Sequence, residues 1–248
     1  MELVYSRTKT IQEDKVSGFC PGCMHSTVVK LIGEALEEMN LVEKAVMVTG
    51  IGCCGLHMDY IAYDTITAPH GRACAVATGM KRSNPDTLYF TYQGDGDFAS
   101  IGLAESVSAA NRGENITVIF INNGIYGMTG GQCAPTSLPG QITTSTPRGK
   151  DPKKAGMPFR VEQAFTGFDI AYLARGSMAD AKGMMQSKKY IRKAFEKHMK
   201  GEGFCLVELL SPCPTNLNMT PVKSVERIKN EMIKYFPLGE FKDKKEEA

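Results

Sequence analysis

The chain has 248 residues, a formal net charge of +2 and 42% hydrophobic residues. A chain of this length buries enough surface to form a core without a disulfide or a metal. The nearly balanced charge and the lack of a basic stripe with interleaved aromatic residues exclude a typical nucleic-acid-binding protein. No apolar run reaches the roughly 20 residues of a membrane helix. Met1–Lys15 has no signal-peptide core, so we expect a cytoplasmic protein without a membrane segment.

Short apolar runs alternate with stretches of helical periodicity along the chain. The runs that predict buried strands are Ala45–Val48, Thr87–Tyr92, Ile116–Ile121, Ile170–Leu173 and Phe204–Leu209. The stretches that predict helices include Thr27–Met39, Ala99–Asn111 and Ser187–Lys200. Such alternation is typical of a doubly wound α/β fold, with a mostly parallel sheet covered by helices on both faces.

The chain shows no internal repeat and no clear linker, so we expect a single domain over residues 1–248. One long polar segment, Thr129–Phe159, is rich in Gly, Pro, Ser and Thr. A loop of this length in a compact domain is usually functional or an assembly element. The charged tail Phe241–Ala248 is expected to fray.

Two polar motifs follow neighbouring predicted strands. Gly94-Asp95-Gly96-Asp97 follows the second strand, and Asn122-Asn123 follows the third. Glycines allow close backbone approach to a phosphate, and a following helix N-terminus favours the anion. Asp95 and Asn123 offer the hard oxygen atoms that Mg²⁺ prefers. The pattern favours a magnesium-diphosphate site, although a tight turn with Asp95 as a helix cap is the plainer alternative.

For the eight cysteines, roles as ligands, catalysts or small core residues are considered before disulfides. Cys20-Pro21-Gly22-Cys23 precedes a predicted helix, Cys53-Cys54 follows the first strand, and Cys213 follows the last. Thiolates from these loops could hold a 4Fe–4S cluster or a tetrahedral zinc ion. A thioredoxin-like redox pair at Cys20 and Cys23 is a further alternative.

Three other cysteines have no place in that group. Cys74 and Cys205 lie in apolar stretches and are expected in the core. Cys133 lies beside the proposed cofactor loop, and its role stays open.

Together these motifs resemble the β (thiamine-diphosphate-binding) subunit of the 2-oxoacid:ferredoxin oxidoreductases, in particular the branched-chain (2-ketoisovalerate) type. The resemblance covers most of the chain and implies the doubly wound thiamine-diphosphate-binding domain. Its remaining landmarks are Thr49-Gly50-Ile51-Gly52-Cys53, His70-Gly71-Arg72-Ala73, Ala77-Thr78-Gly79, Asn123-Gly124-Ile125-Tyr126-Gly127-Met128-Thr129-Gly130-Gly131-Gln132 and Ser211-Pro212-Cys213.

The resemblance implies cofactor contacts residue by residue. Asp95, Asn123 and the Ile125 carbonyl correspond to the magnesium ligands. The backbone of Gly96 and Asp97 corresponds to part of the diphosphate cradle.

Further contacts follow from the same likeness. The Thr129 hydroxyl belongs to the diphosphate cradle. His70 corresponds to a histidine near the cofactor, with a hydrogen-bonded core histidine as the alternative. Met128 corresponds to the residue facing the thiazolium and substrate, although a packing role is also open for a methionine.

The cluster ligands implied by the resemblance are Cys20, Cys23, Cys53 and Cys213. Cys54 departs from the family pattern, in which a small polar residue is usual. It leaves the choice between Cys53 and Cys54 open, and we prefer Cys53 because it directly follows Gly-Ile-Gly.

The implied reaction is oxidative decarboxylation of a 2-oxoacid to acyl-coenzyme A and carbon dioxide, with electrons passing through the cluster to ferredoxin. The chain has no convincing glutamate to activate the ylid. Glu105 lies on the predicted crossover helix, where a solvated or packing role is expected. In the family, the activating glutamate comes from the α subunit. We therefore expect an α subunit as partner, with γ and ferredoxin-like δ subunits as further candidates. The alternatives are 2-oxoglutarate as substrate, a non-oxidative thiamine decarboxylase or synthase subunit, and a metal-stapled assembly module.

Overall fold

A seven-stranded sheet forms the middle layer of the protein, as seen in a computed structural model that describes residues 6–244. The strands are β1 Ala45–Thr49, β2 Asp64–Thr67, β3 Leu88–Gly94, β4 Thr117–Asn122, β5 Tyr172–Ser177, β6 Cys205–Leu210 and β7 Gly239–Asp243. Their order is β2-β1-β3-β4-β6-β5-β7. Every neighbouring pair is parallel except β5 and β7, which are antiparallel.

Helices cover both faces of this sheet. They are α1 His25–Glu38, α2 Ala73–Ser83, α3 Leu103–Asn111, α4 Pro152–Ala155, α5 Val161–Phe165, α6 Ala181–Met199, α7 Pro221–Arg227 and α8 Ile233–Tyr235. Short 3₁₀ turns lie at Val42–Lys44 and Cys53–Gly55, and π-helical turns at Asp97–Ile101 and Ile228–Met232. Among the described residues, no helix has the length and apolar character that a membrane crossing needs.

Strand β4 shows why the fold has two cores. Ile119 and Ile121 pack in the core that contains α1 and α6 residues, whereas Val118 and Phe120 pack in the core that contains α2 and α3 residues. Successive strand side chains point to opposite faces, so a wholly apolar strand needs cover on both sides. The predicted doubly wound α/β sheet is confirmed.

The fourth predicted strand, Ile170–Leu173, is placed too early along the chain. Strand β5 begins at Tyr172 and continues through Arg175 to Ser177. The predicted run stops short of Arg175, and a charged side chain is costly to bury unless it is paired. Arg175 is fully buried nonetheless, because it pairs with Glu208 at 2.5 Å and with Glu162.

The predicted fraying of Phe241–Ala248 is wrong for its first residues. Residues 239–243 form β7, which pairs with β5, and Phe241 packs against the core. The polar sequence hid this strand because an edge strand needs only one buried face. Residues 245–248 lie outside the described part of the chain.

The predicted helix Ala99–Asn111 is divided in two. A π-helical turn at Asp97–Ile101 precedes α3, and Gly102 separates them. A Cβ at Gly102 would lie 2.2 Å from the Asp97 carbonyl and 2.7 Å from the Gly71 carbonyl. The close approach of these three segments therefore interrupts the regular helix.

Candidate functional site

The carboxyl ends of β3 and β4 bring the two polar motifs together. Gly94 pairs with Ile121 in the parallel register, so Asp95 and Asn123 leave neighbouring strands at the same edge. Both residues line one open cleft with a volume of about 210 Å³. Ligands of doubly wound sheets bind at this edge.

The Asp95 carboxylate is buried and well supplied with donors. It accepts hydrogen bonds from the Gly96 amide at 3.1 Å, the Gly124 amide at 2.9 Å and the Thr136 hydroxyl at 2.7 Å. Burial raises its pKa to about 6, against the lowering effect of these donors. A cation at this carboxylate would offset the cost of burying its charge.

The asparagine pair separates into two roles. Asn123 turns to the cleft, where its side-chain oxygen accepts a hydrogen bond from the Ile125 amide at 3.1 Å. Asn122 turns to the interior and donates to buried Glu208 at 2.7 Å. Because successive side chains of a strand point in opposite directions, only Asn123 of the two can reach a ligand in the cleft.

The glycine requirement at Gly96 comes from Tyr126. A Cβ at Gly96 would lie 2.4 Å from the Tyr126 ring, so no larger residue fits without moving that ring. Both residues line the cleft beside Asp95. At Gly96, the cleft wall is therefore formed by backbone atoms and not by a side chain.

The Asp97 side chain joins loops that sequence reasoning treated separately. Its carboxylate accepts hydrogen bonds from the amides of Ile51 at 3.1 Å and Gly71 at 2.8 Å. It also accepts from Gln93 Nε2 and lies against His70 Nδ1, each at 2.5 Å. We predicted only a backbone role for Asp97; no local pattern signals partners that lie 26 to 46 residues away.

His70 lies in the cleft, where our sequence interpretation placed it. Its Nδ1 is held by Asp97, and its side chain is 44% exposed. The orientation leaves Nε2 as the ring nitrogen available to a ligand.

Two further cleft residues came from the resemblance. Met128 lines the cleft with 49% of its surface exposed. Thr129 also lines it, and its hydroxyl donates to Gln132 Oε1 at 2.6 Å. No lysine or arginine lies among the described residues that line this cleft.

The structure also places residues that sequence reasoning missed or set aside. His25 lines the cleft and contacts the Tyr92 hydroxyl at 2.6 Å; burial lowers its pKa to about 4, so the ring is neutral at pH 7. Glu105 does not line the cleft and pairs with Arg72 at 2.6 Å.

Four cysteines influence one another electrostatically. Burial, together with the nearby thiols of Cys213, Cys23 and Cys20, raises the pKa of Cys53 to about 12. Burial likewise raises the pKa of Cys23, with Cys20 and Cys213 adding to the effect. The turn at Cys20–Cys23 is closed by a backbone hydrogen bond of 3.2 Å and directly precedes α1.

Cys53 and Cys54 face different surroundings. Cys53 lies near the other three thiols, whereas the Cys54 thiol donates to the Gly50 carbonyl at 3.5 Å and lies near Asp97. This geometry favours Cys53 as the ligand.

The predicted core positions of Cys74 and Cys205 are confirmed at 1% and 0% exposure. Across residues 6–244, no three His, Cys, Asp or Glu side chains are close enough to bind a single metal ion.

A known protein family matches the part of the chain that contains most of the cleft. Residues 50–209 match the family described as "Thiamine pyrophosphate enzyme, C-terminal TPP binding domain". The match begins directly after β1, runs through most of β6 and includes Asp95 and Asn123.

Curated relatives are subunits of one enzyme class. The chain is 43% identical over 231 residues to ketoisovalerate oxidoreductase subunit VorA of Methanothermobacter thermautotrophicus; this covers 93% of the chain but only 48% of VorA. It is 33% identical to 2-oxoglutarate synthase subunit KorB of Methanocaldococcus jannaschii, over 96% of the chain and 86% of KorB. The chain thus spans about half the length of VorA.

A solved structure shares the whole fold. The chain matches a 2-oxoglutarate:ferredoxin oxidoreductase from Magnetococcus marinus, solved with 2-oxoglutarate, coenzyme A and succinyl-CoA bound. The TM-score is 0.78 at 25% identity, and the match covers 99% of this chain and 87% of that one. From this fold, the matched domain and these relatives, the chain belongs to the thiamine-diphosphate-binding subunits of the 2-oxoacid:ferredoxin oxidoreductase family.

Proposed function

We propose that this chain binds thiamine diphosphate, Mg²⁺ and a 4Fe–4S cluster in an enzyme that oxidatively decarboxylates a 2-oxoacid. The products are acyl-coenzyme A and carbon dioxide, and ferredoxin takes the electrons. One observation carries the proposal: Cys53 lines the same cleft as Asp95 and Asn123. A cluster bound there would lie within short reach of the cofactor. A non-oxidative decarboxylase or synthase has no need of these thiols.

The cofactor residues have distinct tasks in this proposal. Asp95, Asn123 and the Ile125 carbonyl hold Mg²⁺, because they offer hard oxygen atoms at one sheet edge. The backbone of Gly96 and Asp97 receives the diphosphate. When bound, thiamine diphosphate supplies the ylid and the electron sink.

Three more side chains complete the pocket. The Thr129 hydroxyl, which donates to Gln132 here, would donate to the diphosphate when the cofactor is bound. His70 offers Nε2 to the cofactor while Asp97 holds its Nδ1. Met128 presents an apolar surface to the substrate.

We assign the cluster to Cys20, Cys23, Cys53 and Cys213. The thiols of Cys23 and Cys53 lie near those of Cys20 and Cys213, and a cluster would bind all four as thiolates. Burial of Cys23 and Cys213, each 7% exposed, would protect the cluster from solvent.

A branched-chain 2-oxoacid is the substrate that we favour. The identity to the ketoisovalerate oxidoreductase subunit is 43%, against 33% to the 2-oxoglutarate synthase subunit. A second carboxylate, as in 2-oxoglutarate, calls for a cation, and the described cleft residues include no lysine or arginine. A partner subunit could provide that cation, so 2-oxoglutarate is the second candidate.

The chain requires an α subunit to complete the site. Glu105 is held by Arg72 outside the cleft, so it does not provide the ylid-activating carboxylate. The γ and ferredoxin-like δ subunits are further candidate partners. Substantial turnover by this chain alone would contradict the requirement.

The decisive experiment measures iron, labile sulfide and the electron paramagnetic resonance spectrum of the anaerobically purified chain after dithionite. We expect about four irons per chain, lost in Cys20→Ala and Cys213→Ala. Cys74→Ala, a buried cysteine outside the group, is the matched control and should keep its iron. Zinc or no metal in the wild-type chain would refute the cluster and favour the non-oxidative alternative.

A further inference from the structure

The loop from Tyr126 to Gly131 lies between the cleft and the proposed cluster ligands. Its residues Met128 and Thr129 line the cleft. A Cβ at Gly127 would lie 3.1 Å from the Cys53 sulfur and 3.7 Å from the Cys213 sulfur. The backbone of this loop therefore packs directly on two of the four thiols.

Asn216 joins the same loop to Cys213. Its Nδ2 donates to the Gly127 carbonyl at 2.9 Å and to the Cys213 sulfur at 3.6 Å. A side-chain amide nitrogen carries two hydrogens, so both bonds form at once. The link runs from a cleft-lining loop to a proposed cluster ligand through one side chain.

The hydrogen bond to Gly127 also fixes the orientation of the amide. A backbone carbonyl only accepts, so the NH₂ group of Asn216 has to face Gly127 and, with it, the sulfur. The amide oxygen lies on the other side, where a Cβ at Gly131 would be 3.2 Å away. The sulfur therefore meets the positive end of the amide dipole.

We propose that Asn216 is a positioning residue that raises the reduction potential of the cluster and holds the Gly127 loop against it. This inference rests on the proposed cluster. A donor aimed at a ligand sulfur stabilises the reduced state, which carries the additional negative charge. Cys213 is only 7% exposed, so water screens the interaction little.

The test is a redox titration of the enzyme purified anaerobically with its partner subunits. It follows the paramagnetic resonance signal that Cys213→Ala removes. Asn216→Asp keeps the shape but replaces the donor with a carboxylate oxygen, and Asn216→Ala removes the donor alone. Asn111→Ala, at an exposed asparagine on α3, is the matched control.

We expect all three variants to keep their iron. Asn216→Asp should shift the reduction equilibrium at least tenfold toward the oxidised cluster, which is about 59 mV for one electron. Asn216→Ala should shift it in the same direction by less, and Asn111→Ala should leave it unchanged. An unshifted potential in an iron-replete Asn216→Asp enzyme would overturn the inference while leaving the cluster proposal intact.

A second measurement needs no variant of Asn216. In wild-type enzyme labelled with ¹⁵N in the asparagine side chains, the reduced cluster should show coupling to an amide nitrogen by electron spin echo spectroscopy. Absence of that coupling would overturn the inference even if the Asn216 variants fail to fold. A wild-type chain without iron would instead refute the proposed function, and the inference with it.

Discussion

Replacing Asp97 with alanine removes the carboxylate that connects three loops of the cleft. Its oxygens accept from donors on Ile51, His70, Gly71 and Gln93 at 2.5–3.1 Å. The donors on Gly71 and Gln93 are in buried surroundings, and each buried donor left unpaired costs about 1–3 kcal/mol. We therefore expect Asp97→Ala to lower the free energy of unfolding by about 4 kcal/mol.

Asp97→Asn should cost less, because its carbonyl oxygen can still accept from the two backbone amides. The assay is urea unfolding at pH 7, followed by far-ultraviolet circular dichroism without added cofactor, with exposed Asp59→Ala as control. The slope of free energy against urea should match the wild type. A loss below about 1 kcal/mol in Asp97→Ala would refute the reasoning, because it would show that water satisfies these donors.

Arg175→Met should lower the free energy of unfolding, measured with urea, by about 3–5 kcal/mol, since it leaves Glu208 buried without its cation. Adding Glu208→Gln to this variant should restore part of the loss. Burial, reinforced by the charge of Lys81, lowers the pKa of His198 to about 3. The unfolded state therefore binds a proton below about pH 6.5 that the folded state excludes. As the pH falls from 6 to 4, the free energy of unfolding of the wild type should decrease more steeply than that of His198→Gln, by about 1.4 kcal/mol per pH unit. Parallel pH profiles of the two proteins would contradict this. Gly50→Ala should destabilise the protein in the same assay, because its Cβ would lie 2.1 Å from an Asp97 oxygen. Gly79→Ala, in α2 with no atom within 4 Å of the new Cβ, should stabilise it by about 0.5–1 kcal/mol; equal effects of the two substitutions would be inconsistent with the packing.

Local sequence determined the features that depend on neighbouring residues. The apolar run Ile116–Ile121 predicted a buried strand because such a run is satisfied only between two layers of helices. Gly96 and Asn123 were identified because turns after strands follow a short pattern of residue types. Cys20 and Cys23 could be paired because their spacing fits one turn.

The tertiary structure decided everything that depends on long-range contacts. Arg175 extends β5 because Glu208 on the neighbouring strand neutralises it. Asp97 became the centre of the cleft wall, and Asn216 a link to Cys213, through partners far away in the chain. Only the folded structure favours Cys53 over Cys54 as the proposed ligand, because the two thiols are chemically identical and differ only in their surroundings. Charge pairing and hydrogen-bond partners are properties of the assembled sheet, and a linear pattern of residue types does not encode which distant groups will meet.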